Sequence, residues 1–433
     1  MVPEDNARLH PYPGGVVRTS PDGSSGLVAS TQPIDFDGEL LDLLPEDDPT
    51  CWIRHGDGLV GWGAVARLQV RGVERFARTQ RWWAELTESL LVEDSVSLPG
   101  TGPIAFASFA FDQEEASDVV VPTVVVGRRS GQTWMTVIHP ADQAPDFSPL
   151  THPLSTTRPR FEWSDGALSA PEWEKAVSVA VERIAAGEFD KVVLARDIIG
   201  TPSTASERLD PRTLLHELSR CYPSCWTFNV SGLVGATPEL LVRRTGDLVT
   251  SRVLAGTVHR IGDEATDAGL ALELLDSHKD LAEHGYAVGS VARALAMHCT
   301  DLEIPESPRV LALANVHHLA TDITGRLADD APLLALAASL HPTAAVCGTP
   351  TGRALSVIAE LESMSRGRYA GPVGWFDIRG EGEFGIALRC AELDSDSGTV
   401  RAFAGCGIVS GSDPAREVTE SDAKLLPIRT ALS

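Results

Sequence analysis

Apolar residues in this chain fall into two rhythms. Short runs rich in β-branched and aromatic residues predict strands, and longer stretches with apolar residues every three or four positions predict helices. The strand-like runs are Ile104–Phe111 (IAFASFAF), Val119–Val126 (VVVPTVVV), Lys191–Ile199 (KVVLARDII), Trp226–Val230, Leu248–Val253, Tyr369–Phe376, Phe384–Ala391 and Val400–Ala404. A helix is expected to start at Ser169, because Ser169 and Glu172 form a capping-box pair and Pro171 suits a first turn. Trp173, Val177 and Ile184 share one face of that helix, and Gly187 ends it. Further helical patterns run over about 267–297 and 414–432, the latter opened by Asp413 as cap and Pro414.

These elements predict an α+β fold in which large β-sheets are flanked by helices. Residues 1–30, rich in Pro, Gly and Ser, read as a flexible lead-in. Pro140, Pro145, Pro149, Pro153 and Pro159 mark a crossing between an N-terminal portion, 31–159, and a more regular C-terminal portion, 160–433.

Composition narrows the function. The chain has 433 residues, 43% hydrophobic, enough for a sizeable core. Its net charge of −24 repels nucleic acid and anionic membranes, so any site for an anion needs local cations or a metal. Seven cysteines in so long a chain suggest neither a disulfide framework nor structural zinc. The N-terminus has no signal-peptide pattern, and no apolar run reaches the ~18 residues of a membrane span. A cytoplasmic enzyme fits these features.

Two pairs of acids stand out. Asp280 and Glu283 lie three residues apart on one predicted helix, and Glu417 and Glu420 repeat that spacing on the last, with Lys424 four residues beyond Glu420. Solvated helix faces account for such pairs. Brought together, they would instead hold a hard cation such as Mg²⁺. The glycines of GCGIVSG (405–411) lie between a strand and a helix and do not match the dinucleotide fingerprint. They suit either a plain tight turn or a backbone cradle for a carboxylate.

Nine segments, in order, give these residues a family context. They are KVVLAR (191–196), GATPELLV (235–242), LAGT (254–257), KDLAEH (279–284), VHHL (316–319), HPTAAVCGTP (341–350), YAGPVGW (369–375), ALRC (387–390) and AGCGIVSGSDPAREVTES (404–421). Together they resemble the chorismate-utilising enzymes, which include isochorismate, salicylate, anthranilate and aminodeoxychorismate synthases. The N-terminal portion matches weakly, mainly through GPIAFASFAFD (102–112).

The resemblance implies the anthranilate synthase component I-like fold, a chorismate substrate and Mg²⁺. It implies Glu283 and Glu420 as metal ligands, with Asp280 and Glu417 behind them holding water; Asp280 departs from the Glu of some relatives. Gly256, Thr257, Tyr369, Arg389, Gly405, Gly407 and Lys424 match substrate-contacting positions, and His318 would lie near the enolpyruvyl group. His341 is expected to order its loop. Lys191 matches the lysine of water-adding members, a base for water attacking C2, and Glu239 would donate a proton to the hydroxyl leaving C4. Ala345, beside Val346, stands where salicylate and anthranilate synthases resemble each other in having threonine. The resemblance therefore implies conversion of chorismate to isochorismate by a monomer without a glutaminase subunit. It leaves quinone and siderophore pathways both open.

Overall fold

The computed structural model describes residues 26–155, 159–204 and 208–433. Among the described residues, thirteen strands form one sheet and ten form another. Pairing is antiparallel except where Leu27–Pro33 runs parallel to Leu91–Asp94. Eight α-helices among the described residues flank the sheets, so the α+β reading holds.

The N-terminal and C-terminal portions are not separate bodies. Thr50–Arg54 pairs with Trp226–Val230 in the first sheet, and Ile104–Ser108 pairs with Pro372–Asp377 in the second. Both sheets are thus continuous across the Pro-rich crossing. Most of the expected lead-in lies outside the described residues, but its end does not follow the expectation. Leu27–Pro33 is a strand paired with Gln132–Pro140, because VAST carries the buried positions that an inner strand needs.

Several expected elements break where local chemistry breaks them. The 267–297 pattern is two helices, Glu264–Asp276 and His278–Leu295. Ser277 stands between them in extended conformation and caps the second, accepting from the Asp280 N–H at 3.3 Å. Pro122 splits VVVPTVVV into Ser117–Val121 and Val124–Arg129, which belong to different sheets. The Phe384–Ala391 run divides into Gly382–Ile386 and Cys390–Leu393 around Arg389, whose φ is +50°. The strand expected from Tyr369 begins at Pro372. The Ser169 helix forms as expected over Ala170–Ala185. The Ser169 N–H donates to Glu172 at 2.9 Å, and Trp173 is fully buried with its indole N–H on Ala195 O at 3.1 Å.

One buried carboxylate joins the two sheets. Glu383, in Gly382–Ile386 of the second sheet, accepts from the indole N–H of Trp52 and of Trp226, both in the first sheet, at 3.0 Å each. Arg243 Nε, from the second sheet, donates to its other oxygen at 2.9 Å. Burial pushes the Glu383 carboxyl up. Arg243, the Trp52 indole and Arg129 outweigh that, and it titrates below the ordinary 4.5. All seven cysteines are free, and among the described residues no helix is long and apolar enough to cross a membrane.

Removing this carboxylate strands a cation and two indole donors between the sheets. Glu383→Ala should lower stability by about 3–5 kcal/mol in urea unfolding at neutral pH. A depressed carboxyl stabilises above its unfolded pKa and loses that contribution as pH falls through its folded value. The gap between wild type and Glu383→Ala should therefore shrink in acid below about pH 4.5; a gap independent of pH would exclude the ionised bridge.

Candidate active site

A cleft of about 690 Å³ opens where the two sheets and two helices converge. Its walls come from segments far apart in sequence: the Lys191–Pro202 and Val400–Ile408 strands of the first sheet, the Leu248–His259 and Val316–Leu327 strands of the second, and the helices His278–Leu295 and Pro414–Ala431. Of the residues singled out in the sequence, Glu239, Gly256, Thr257, Glu283, His318 and Ala345 line it. So do Val346, Tyr369, Arg389, Gly405, Gly407, Glu420 and Lys424. Lys191, Asp280 and Glu417 are not on the wall.

The glycines are demanded by close approach. Gly405 and Gly407 lie opposite Ala195 and Val193 in the strand pair beneath the cleft. A Cβ on Gly407 would overlap Glu283 Oε1 and come within 3.1 Å of Lys191 Cε. Gly256 is the extra residue of a bulge: Ala255 faces Leu319 and Thr257 faces His318, with Gly256 at φ +78° between them. His284 holds the bulge from below, its Nδ1 3.2 Å from Ala255 O and its Nε2 2.7 Å from Thr321 Oγ1. Burial drives its pKa down to about 4, so it is a neutral strut.

The acids of the two helices are each matched to a partner. Glu283 Oε1 is 3.3 Å from Lys191 Nζ, Glu417 Oε1 is 2.8 Å from Lys279 Nζ, and Glu420 Oε1 is 2.6 Å from Lys424 Nζ. Asp280 is held by the Ser277 hydroxyl. Glu417 and Glu420 lie with Cys406 in a group whose ligand atoms fall within 4.8 Å of one another. Burial, and then the neighbouring Glu420 charge, raise the Glu417 pKa. Burial pushes Glu420 up, but Lys424, Lys279 and Arg389 together outweigh it and lower its pKa. This is crowded like charge in a low dielectric, and hard oxygen donors of this kind suit Mg²⁺. Glu283, from the other helix, faces the same cleft. The donor set therefore fits a hard divalent cation. The Cys406 thiol, raised by burial and turned to Glu417 O at 3.4 Å, does not add to it.

The flanking groups differ in their surroundings. Lys191 is fully buried, and although it faces Glu283 at ion-pair distance its Nζ makes no hydrogen bond. Burial raises Glu239 to about 8, with the Leu254 backbone, Lys191 and Lys424 pulling the other way. Glu239 is thus protonated at neutral pH. Arg389 leaves Nη1 without a partner while Nη2 lies 3.1 Å from His318 Nε2. Burial opposes the charge of Lys424, yet Cys406 and Glu420 keep its pKa above the ordinary lysine value, and Nζ also donates to Gly405 O at 2.8 Å. Tyr369 stacks on Phe403 with centroids 5.0 Å apart.

Sequence reasoning missed Arg366. Its guanidinium lines the cleft, pairs with buried Glu362, and donates to Val346 O and Val193 O at 2.8 Å each. It therefore holds the apolar wall that contains Val346. Its signal was adjacency: it stands three residues before Tyr369 of YAGPVGW. Leu388, inside ALRC, and Phe403, just before AGCG, are likewise wall residues. His341 is the loop-ordering residue it was expected to be. Its Nε2 is 3.1 Å from Phe111 O, burial lowers its pKa to about 3, and it lies off the cleft.

Comparison with known proteins places this geometry in a family. A family model described as chorismate binding enzyme matches residues 52–433. Isochorismate synthase MenF of Bacillus subtilis (strain 168) is 33% identical over 403 residues, which cover 86% of this chain and 85% of that protein. The salicylate biosynthesis isochorismate synthase of Pseudomonas aeruginosa is 36% identical over 402 residues, covering 86% and 82%. Among solved structures, the menaquinone-specific isochorismate synthase MenF from Escherichia coli superposes with a TM-score of 0.75 at 26% identity, covering 94% of this chain and 95% of that one. Anthranilate synthase component I from Streptococcus pneumoniae TIGR4 shares the fold at a TM-score of 0.61 and 17% identity, covering 98% and 95%. The family match spans both sheets and every segment that lines the cleft, and the chain belongs to the chorismate binding enzymes.

Proposed function

We propose that this chain is an isochorismate synthase, an isomerase that converts chorismate to isochorismate with Mg²⁺. The observation that carries the reading is a buried Glu239 on the cleft wall, pushed up to about 8 by burial, with the charge of the buried Lys191 amine acting on it and that amine lacking a hydrogen-bond partner. An acid and a base held in one site suit a reaction that removes a proton from one oxygen and delivers one to another. The relatives named as isochorismate synthases support the same reading.

The steps follow from these roles. Lys191 takes a proton from a water whose oxygen bonds to C2 of the ring. The two ring double bonds shift, the C4–O bond breaks, and Glu239 gives its proton to the departing hydroxyl. One water enters and one leaves, so the product is an isomer. In the reverse direction the two roles exchange. Glu283 and Glu420 would hold the metal, with Asp280 and Glu417 behind them. When bound it supplies positive charge for the ring carboxylate, which an acidic protein otherwise repels. Arg389 and Lys424 supply fixed cations for the substrate's carboxylates. Gly405 and Gly407 leave room for it to approach the strand backbone.

Ala345 favours release of isochorismate over onward elimination of pyruvate. It leaves the wall beside Val346 without a hydroxyl. The enzyme is proposed to act as a monomer, with no glutaminase subunit.

Incubation with chorismate and Mg²⁺, followed by chromatography, should yield isochorismate with no pyruvate or salicylate, and ammonium or glutamine should not alter the product. Lys191→Ala should bind chorismate but lose about 10²–10⁴-fold in turnover, the usual worth of a general base; near-wild-type turnover would reject the base assignment. Because Glu239 must be protonated to act, kcat/KM should fall as pH rises past about 8, and Glu239→Gln should be inactive across that range. Glu283→Ala should lose activity that excess Mg²⁺ does not fully restore, and should remove the rise in melting temperature that Mg²⁺ gives the wild type. An unchanged rate at ordinary Mg²⁺ would take Glu283 out of the metal site.

A further inference from the structure

His318 has hydrogen-bond partners on two different elements, and they decide where its proton sits. Its Nε2 is 3.1 Å from Arg389 Nη2, and its Nδ1 is 3.0 Å from Thr257 Oγ1. A guanidinium has donors only and keeps its charge, so Nε2 must be the acceptor. The ring is buried. Burial first, and then the Arg389 and Lys424 charges, hold its pKa well below the ordinary value, so it stays neutral. A neutral ring that accepts at Nε2 carries its hydrogen on Nδ1. That hydrogen faces Thr257 Oγ1, with the Gly256 backbone beside it.

The consequence falls on Thr257. Its hydroxyl cannot donate to a ring nitrogen that already bears hydrogen. Among the described residues Thr257 Oγ1 has no other hydrogen-bond partner, and Thr257 lines the cleft. Arg389 Nη1 is likewise a buried donor without a partner. We propose that the Arg389–His318 pair is a polarity lock. It fixes the Thr257 hydroxyl as a donor into the cleft, where it bonds an anionic carboxylate oxygen of the substrate. Thr257 is the contact and His318 a positioning residue that acts through it. The bulge at Gly256 makes this possible, because it sets Thr257 directly opposite His318 across the strand pair.

The proposal rests on the reading of this cleft as a chorismate site, and its test separates the two. In protein labelled with ¹⁵N-histidine, long-range ¹⁵N–¹H correlation reports the tautomer, and the signals lost in His318→Gln assign it. The expected result is a neutral ring with hydrogen on Nδ1 that does not titrate between about pH 6 and 8. Hydrogen on Nε2, or an imidazolium, overturns the proposal whatever the enzyme makes. In the kinetic arm, Thr257→Val keeps the shape and removes the donor. It should raise the KM for chorismate about 10- to 100-fold, the worth of a hydrogen bond to a charged group, with a smaller change in kcat. Thr257→Ser should return KM to within a few-fold of wild type. An unchanged KM in folded Thr257→Val also overturns it. A wild-type enzyme that makes no isochorismate defeats the functional reading, while the tautomer stands or falls on its own spectrum.

Discussion

Acids held out of water in close company govern this molecule. Glu283, Glu417 and Glu420 are brought from two helices to one end of a cleft, and each faces a lysine within 3.3 Å. Such groups cannot be buried without compensation, since desolvation of an unpaired charge costs several kcal/mol. The pairing makes the cleft tolerable to a folded chain. It also makes the cleft a place where protonation states are set by neighbours rather than by solution. Glu239, which lacks an ion-pair partner, is pushed up to about 8; Glu420, beside Lys424, is pushed down. Two carboxyls in one cavity thereby acquire different chemistry, one kept as an acid and one kept as an anion.

The backbone carries as much of the design as the side chains. Gly407 lets the Glu283 carboxylate and the Lys191 stem meet over a strand, where any Cβ would intrude. The Gly256 bulge shifts register by one residue, which turns Thr257 to face His318. Arg389 sits at φ +50° between two strands, and this aims its guanidinium at His318 instead of along the sheet. Each of these positions departs from regular strand geometry. They lie on sheets otherwise tied together by buried polar links such as Glu383. Local departures of this kind persist where the surroundings over-determine them.

Much of the fold could be read along the chain, because strand and helix periods are local properties of side-chain pattern. The Ser169 helix, the last helix and the Trp226–Val230 strand form where the pattern places them. The misreadings have local causes too. Ser277 caps a second helix inside one continuous helical pattern, so that pattern holds two helices. Pro122 falls within one apolar run, and proline ends strands inside sheets. The N-terminal strand Leu27–Pro33 was hidden beneath a composition that resembled a lead-in.

By itself the sequence determined the element types and the ordered motifs that mark a chorismate binding enzyme. It also determined which residue types could serve as acid, base and metal ligand, since these depend only on neighbours in the chain and on side-chain chemistry. Which of those residues share a cavity was decided by tertiary structure. Lys191 and Glu283 are far apart in sequence and meet only because the fold brings the ends of their side chains together. The raised pKa of Glu239, the orientation of His318 and the role of Arg366 likewise arise from burial and from partners on other elements. No pattern within one segment can encode them, because electric fields and desolvation depend on everything nearby in space.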